Sequence, residues 1–374
     1  MKCNSAISDD ELKTFGPEWL ILELIAKGNC DVKIKKILDL NCIHWGELIE
    51  QAMNHKMFPM LCHQFLKEDF FCYVPPFINQ YFKQITDLNA IKNKIIKQEV
   101  LTISELLQRD NVSFVATKGV VLDYELYDGN GSRFLSDGDF IADFAFEKNI
   151  VKILEKSGYY AGSVDWRKNC ARKLTREEFL LYGNTKDKLP EYLKPINNPI
   201  TTYVSLGFSG SLTWAGCEYN VDVKEVLNNV VLQKLDADFE QKAPVLDVPY
   251  HFIYIMLHLY KHAWIKHLSK WKNDVNLVKF GDVYRYWSKY KEILRKELPS
   301  IVAKYNLERV VAWVLYHTGE IFKEDILKYL NISPVVDENY YNSAGDSFGG
   351  IRFWSGTMRE RLYSKNRETL FKEG

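Results

Sequence analysis

From residue 77 to residue 109 apolar side chains recur at helical spacing (Ile85, Leu88, Ile91, Ile95, Val100, Ile103, Leu106), and at Asn111 the pattern stops. Residues 112–116 (VSFVA) follow a turn signal and are rich in β-formers, which predicts a strand. Lys118-Gly119 then leads into a predicted helix at 120–127, and Asp128-Gly129-Asn130-Gly131 marks a turn. A further strand carries Phe140 and Ile141, and residues 147–156 read as a helix ended by Gly158. Strands are expected at 201–206 and 219–223 around a glycine-rich turn. The polar stretch 163–198 stays open between a strand and a loop.

On both sides of this middle stretch the chain is helical. A helix at 18–27 stops at Gly28-Asn29, two short helices fit 43–66 around Pro59, and Pro75-Pro76 breaks the chain before the long helix. After Pro249 the apolar spacing is helical again, at 250–264 and 275–287. The expected fold is α+β: a small mixed β-sheet core at 111–248, flanked by an N-terminal helical region (1–110) and a C-terminal one (249–374).

Composition bounds the partners. The chain of 374 residues is 47% hydrophobic and 26% charged, an ordinary globular balance. Lys+Arg and Asp+Glu both number 49, so no global basic field draws in nucleic acid or an anionic membrane. The seven cysteines are scattered, without a CxxC or zinc spacing, and are expected as buried, reduced thiols. The sequence shows no signal-like or membrane-spanning apolar run, so a soluble cytoplasmic protein is expected.

The chemistry centres on Ser136-Asp137-Gly138-Asp139. On a strand, residues two apart share a face, so Asp137 and Asp139 would stand side by side. Two carboxylates held close repel unless a cation lies between them, and hard oxygen donors that leave room for phosphates suit Mg²⁺. Gly138 between them leaves the opposite face open to something bulky. Alone, such a pair is also what a solvated turn looks like; the surroundings add weight. Lys118-Gly119 sits at a strand-to-helix junction, where backbone N–H groups cradle phosphate, and Arg133 could reach a phosphate oxygen or brace the loop on Asp137 or Asp123. Asp222, in the expected strand at 219–223, offers a third carboxylate beside the pair or part of a solvated face. His258 and His262 share a helix face and fit a buried polar pair better than a metal site, with Asp274 a plausible partner for one of them or for Lys272.

The order Lys118-Gly119, Leu122, Tyr127, Arg133, Asp137-x-Asp139 resembles the bacterial uncharacterised nucleotidyltransferase family of the polymerase-β-like superfamily. Trp45-Gly46-Glu47-Leu48 with Ala52, His55 and Pro59, and His258-Leu259-Tyr260-Lys261-His262 followed by Trp271-Lys272-Asn273-Asp274, resemble its flanking helical segments, so the likeness runs from about residue 40 to about 290. The resemblance implies Asp137, Asp139 and Asp222 as catalytic metal ligands for Mg²⁺, with Lys118, Gly119 and Arg133 binding the nucleotide, ATP or another nucleoside triphosphate. Lys118 and Gly119 stand where better-known relatives carry a Gly-Ser loop. The implied activity is transfer of a nucleoside monophosphate to a small-molecule or peptide acceptor, in the natural-product setting common in the family. A non-catalytic relative that binds nucleotide or peptide, and an RNA-directed toxin-like transferase, are the alternatives.

Overall fold

The computed structural model describes the chain except residues 1–8, 166, 169, 183–186, 215–216, 218, 270–272, 334–337, 346–349 and 373–374. It divides into two compact units. One is continuous, Gln84–His251; the other joins Met1–Lys83 with Phe252–Gly374.

The continuous unit is built on one sheet of eight strands, larger than the small sheet expected. They are β1 (Phe114–Thr117), β2 (Gly138–Ala142), β3 (Tyr160–Asp165), β4 (Cys170–Lys173), β5 (Tyr192–Pro195), β6 (Tyr203–Ser209), β7 (Val230–Lys234) and β8 (Lys242–Leu246). Their order across the sheet is β4-β3-β5-β6-β2-β1-β8-β7. The sheet is mixed: β1 runs antiparallel to β2 and parallel to β8, while β2 and β6 are parallel. Of the strands not expected, β4 and β5 come from the polar stretch 163–198, which also holds a short helix, Arg176–Tyr182, β3 runs into its start, and β7 and β8 follow at Val230–Lys234 and Lys242–Leu246.

The helix Pro76–Arg109 supplies Ile96, Val100, Ile103 and Leu107 to the sheet's apolar core, where they join Phe114, Phe140, Leu206 and Phe208. Phe140 and Phe208 stack with centroids 4.6 Å apart, on neighbouring strands and the same face. This explains Gly138. Its strand position faces the long helix, and a Cβ there would come within 2.4 Å of Val100 Cγ2 and 2.8 Å of Leu206 Cδ2. The bulky neighbour expected opposite the Asp pair is therefore the protein's own helix. Below the same helix, Lys97 is fully buried and paired with Asp123 and Asp236.

The other unit is helical apart from a small hairpin, Ser343–Gly345 with Ile351–Phe353. The helix Pro17–Lys27 begins with proline in its first turn, where no intrahelical N–H is lost, and buries Leu20, Ile21, Leu22 and Ile25. It ends at Gly28 (φ 83°), where Arg285 donates to the carbonyls of Ile25 and Ala26. Pro59 likewise lies in the first turn of Phe58–Phe65, after the helix Trp45–Asn54. The two segments of this unit are pinned together by Arg359, which pairs with the buried Glu23, and within the second segment Arg361 and Arg367 both pair with Asp274. His262 Nδ1 lies 3.2 Å from the Asn273 carbonyl oxygen, and His258 and His262 are half-buried, with rings 4.5 Å apart. Trp271 and Lys272 lie outside the described residues. The six described cysteines are free thiols, Cys30 and Cys62 buried but Cys42 and Cys72 exposed. Among the described residues no helix is long and apolar enough to cross a membrane.

Candidate active site

The register of the sheet assembles one row of residues on the face away from Gly138. Thr117 of β1 lies opposite Asp139 of β2, and Asp139 lies opposite Gly207 of β6. Glu191, just before β5, is one step beyond the Tyr192–Leu206 pair and so flanks Gly207 from the other side. Because Gly207 has no side chain, both carboxylates lean into the space above it. A Cβ at Gly207 would stand 3.2 Å from Asp139 Oδ1 and 3.3 Å from Glu191 Oε2. Asp137, two residues before Asp139, joins them: Asp139 and Glu191 both act on its charge.

Asp222, expected as the third carboxylate, is not part of this group. It is not on a strand; it is exposed and caps the short helix Val223–Val226 by accepting from the N–H of Lys224. Lys224 itself reaches toward Asp143, past the far end of β2. The neighbours of β2 are β1 and β6, so no strand at 219–223 lies beside the Asp pair. Glu191 is the third carboxylate of the site. Its place was hidden in the sequence because Pro190 and Pro195 bracket so short a strand, and proline argues against strand interiors.

Each carboxylate is held by a named partner. Lys118 Nζ lies 2.9 Å from Asp139 Oδ1, and Lys188 Nζ lies 2.7 Å from Glu191 Oε1. Ser205, two residues before Gly207 on β6, donates to Glu191 Oε2 at 3.2 Å. Ser136 Oγ donates to Asp137 Oδ1 at 2.9 Å. Burial, then the charges of Asp139 and Glu191, raise the Asp137 carboxyl to about 6, against the pull of Lys118. Lys92, from the long helix, lies 4.4 Å from the Phe134 ring centroid; burial lowers its affinity for a proton, and Asp137 partly restores it.

The phosphate-binding candidates also gather. The helix Gly119–Tyr127 starts directly after β1, with Lys118 as its N-cap in an unusual backbone conformation (φ 55°, ψ −128°). The first N–H groups of a helix have no partner within it and carry the positive end of its dipole. A Cβ at Gly119 would meet Arg133 Nη1 at 2.9 Å, so the glycine lets the Arg133 guanidinium lie across this first turn. The Arg133 backbone is fixed by Asn89 and Asn93, whose amides donate to its carbonyl at 3.0 and 2.7 Å. Arg133 also acts on Asp123, the bracing role open to it from the sequence.

The donor set fits a divalent cation. Three carboxylates supply hard oxygens, and Lys118 and Lys188 already place positive charge on two of them. The fully buried Thr117 hydroxyl, in the same row as Asp139, has no hydrogen-bond partner. As placed, no three His, Cys, Asp or Glu side chains among the described residues form a group that could hold a metal ion, and Lys118 and Lys188 occupy two of the three carboxylates.

A mixed sheet with an Asp-x-Asp strand beside a strand-to-helix turn is a nucleotidyltransferase-like framework. Residues 41–323, well over half of the chain, match the family described as uncharacterised nucleotidyltransferase, and the chain belongs to that family. No curated protein matches the sequence.

Proposed function

We propose that this protein is an enzyme that moves a nucleoside monophosphate from a nucleoside triphosphate, such as ATP, to a small-molecule or peptide acceptor, using Mg²⁺. The observation that carries this reading is the convergence of Asp137, Asp139 and Glu191 beside the Lys118-Gly119 turn. Asp137, Asp139 and Glu191 would hold the ion, which when bound supplies positive charge against the reacting phosphate. Lys118, Arg133 and the first N–H groups of the helix Gly119–Tyr127 bind and orient the polyphosphate. In the transfer, the acceptor oxygen forms a bond to the α-phosphorus, the bond to the bridging oxygen breaks, and pyrophosphate leaves. The acceptor's proton passes to solvent water, since the three carboxylates are engaged in holding the ion. The zero net charge of the chain favours a small or peptide acceptor over nucleic acid, and a natural-product pathway is the setting we infer from the family.

The test is equilibrium binding of each nucleoside triphosphate with and without Mg²⁺, in wild type and in Asp137→Ala/Asp139→Ala. Mg²⁺-dependent binding that disappears in the double variant supports the reading, and release of pyrophosphate in the presence of acceptor completes it. Binding that is indifferent to both carboxylates overturns it.

A further inference from the structure

We propose that Lys188 is a second phosphate-binding cation of the site, parked on Glu191 until a divalent ion takes the carboxylates, and then handed to the polyphosphate of the incoming nucleotide. The proposal rests on the nucleotidyl-transfer reading above and deepens it: it makes the arrival of the ion and the capture of the triphosphate one coupled event.

Three observations support it. First, the two lysines are arranged as a matched pair about Gly207, Lys118 on Asp139 and Lys188 on Glu191, at 2.9 and 2.7 Å. A divalent ion brings the same two positive charges as the two ammonium groups, so exchanging one for the other leaves the charge at the carboxylates unchanged. The exchange therefore avoids the cost of burying uncompensated like charges.

Second, Lys188 is built to move at one end only. Its backbone bridges to Ser209 at the end of β6, which fixes the base of the side chain to the sheet. Its side chain is 43% exposed, on a flexible four-carbon stem, so the ammonium can swing without disturbing the core. Glu191 does not depend on it alone, since Ser205 also holds that carboxylate.

Third, the two carboxylates that hold the lysines face one gap: a Cβ at Gly207 would stand 3.2 Å from Asp139 Oδ1 and 3.3 Å from Glu191 Oε2. A cation held on one of them lies within reach of whatever occupies the space between them.

The consequence is linkage. The ion alone must compete with two resident ammonium groups, and the nucleotide alone finds those ammonium groups engaged. Each then binds more tightly when the other is present.

The experiment uses the full chain, with Mn²⁺ followed by electron paramagnetic resonance and a non-hydrolysable ATP analogue as the second probe. In Lys188→Met, Mn²⁺ alone should bind about threefold more tightly, because an exposed competing ion pair is gone. The analogue in saturating Mn²⁺ should bind about tenfold more weakly, for loss of a charged phosphate contact. Lys188→Arg should keep analogue binding close to wild type. A Lys188→Met variant that weakens Mn²⁺ alone, or leaves analogue binding unchanged, overturns the proposal. Asp139→Asn separates the two levels. If Mn²⁺ binding needs Asp139 but ignores Lys188, the Lys188 assignment falls and the transfer reading stands; if it ignores Asp139 as well, both fall.

Discussion

Single residues set the geometry of this site by what they lack. Gly138 faces the long helix and Gly207 faces the carboxylates, and neither has room for a methyl group without displacement. Gly138→Ala should therefore destabilise the protein by about 1–3 kcal/mol, the usual cost of overpacking against a rigid neighbour such as Val100; a urea melt measures it. Asp137 makes a prediction about pH. Its carboxyl holds its proton more tightly in the folded chain, at about 6 against the ordinary 3.8. The stability this contributes is fully present below the ordinary carboxylate range and is lost as pH rises through about 6. A divalent ion must displace the same proton. Cation affinity should thus rise about tenfold per pH unit up to about 6 and level off above it, with proton release on binding below 6. Calorimetry in buffers of different ionisation enthalpy reads both.

At the level of elements, the turn between β1 and the helix Gly119–Tyr127 stores strain where the chemistry is expected. Lys118 adopts a positive φ that glycine tolerates and a lysine does not favour. Lys118→Gly should leave stability within about 1 kcal/mol of wild type, since relief of strain offsets the lost ion pair and the extra chain entropy. Lys118→Val should cost about 2 kcal/mol or more, because a β-branched residue fits that backbone worst. Both should lose triphosphate binding, and the contrast in melting temperature separates strain from charge.

The same turn shows what a sequence can reveal. The β1-turn-helix unit and the Asp-x-Asp strand were legible because their signals are local: β-formers, Lys-Gly, then helical spacing. The helices Pro17–Lys27 and Pro76–Arg109 were legible for the same reason. Glu191, Lys188 and Ser205 were not, because their meeting with Asp139 depends on β5 and β6 entering the sheet beside β2. Such pairing joins residues far apart in the chain and leaves no periodic trace. Asp222 was misplaced by the converse error: residues 219–223 have strand-like composition, but Asp222 is used as a helix cap.

For the whole molecule, the decisive fact is that one unit is continuous and the other is assembled from both ends of the chain. Asp274 is central to the second. Burial alone would raise its carboxyl, but the guanidinium groups of Arg361 and Arg367 outweigh this and hold it below the ordinary range. The stability from that pairing is present above the ordinary carboxylate range and is lost as pH falls through the lowered value. Asp274→Ala leaves two buried arginines without their shared carboxylate and should cost about 3–5 kcal/mol. Hydrogen exchange should show the loss in Pro17–Lys27 and Met358–Tyr363, while strands β1, β2 and β6 stay protected.

That two-ended unit also imposes an order on biosynthesis. Pro17–Lys27 leaves the ribosome before the sheet, with Leu20, Ile21, Leu22 and Ile25 ready for burial, yet the arginines that complete its unit, Arg359, Arg361 and Arg367, are made after the sheet. At ordinary ribosomal elongation speeds the interval is on the order of tens of seconds. During it, the whole of Gln84–His251 can be synthesised and its sheet closed. The nascent chain would thus carry a finished sheet while Pro17–Lys27 still lacks the later segment that completes its unit, and chaperone demand during translation should fall on that helix rather than on the sheet.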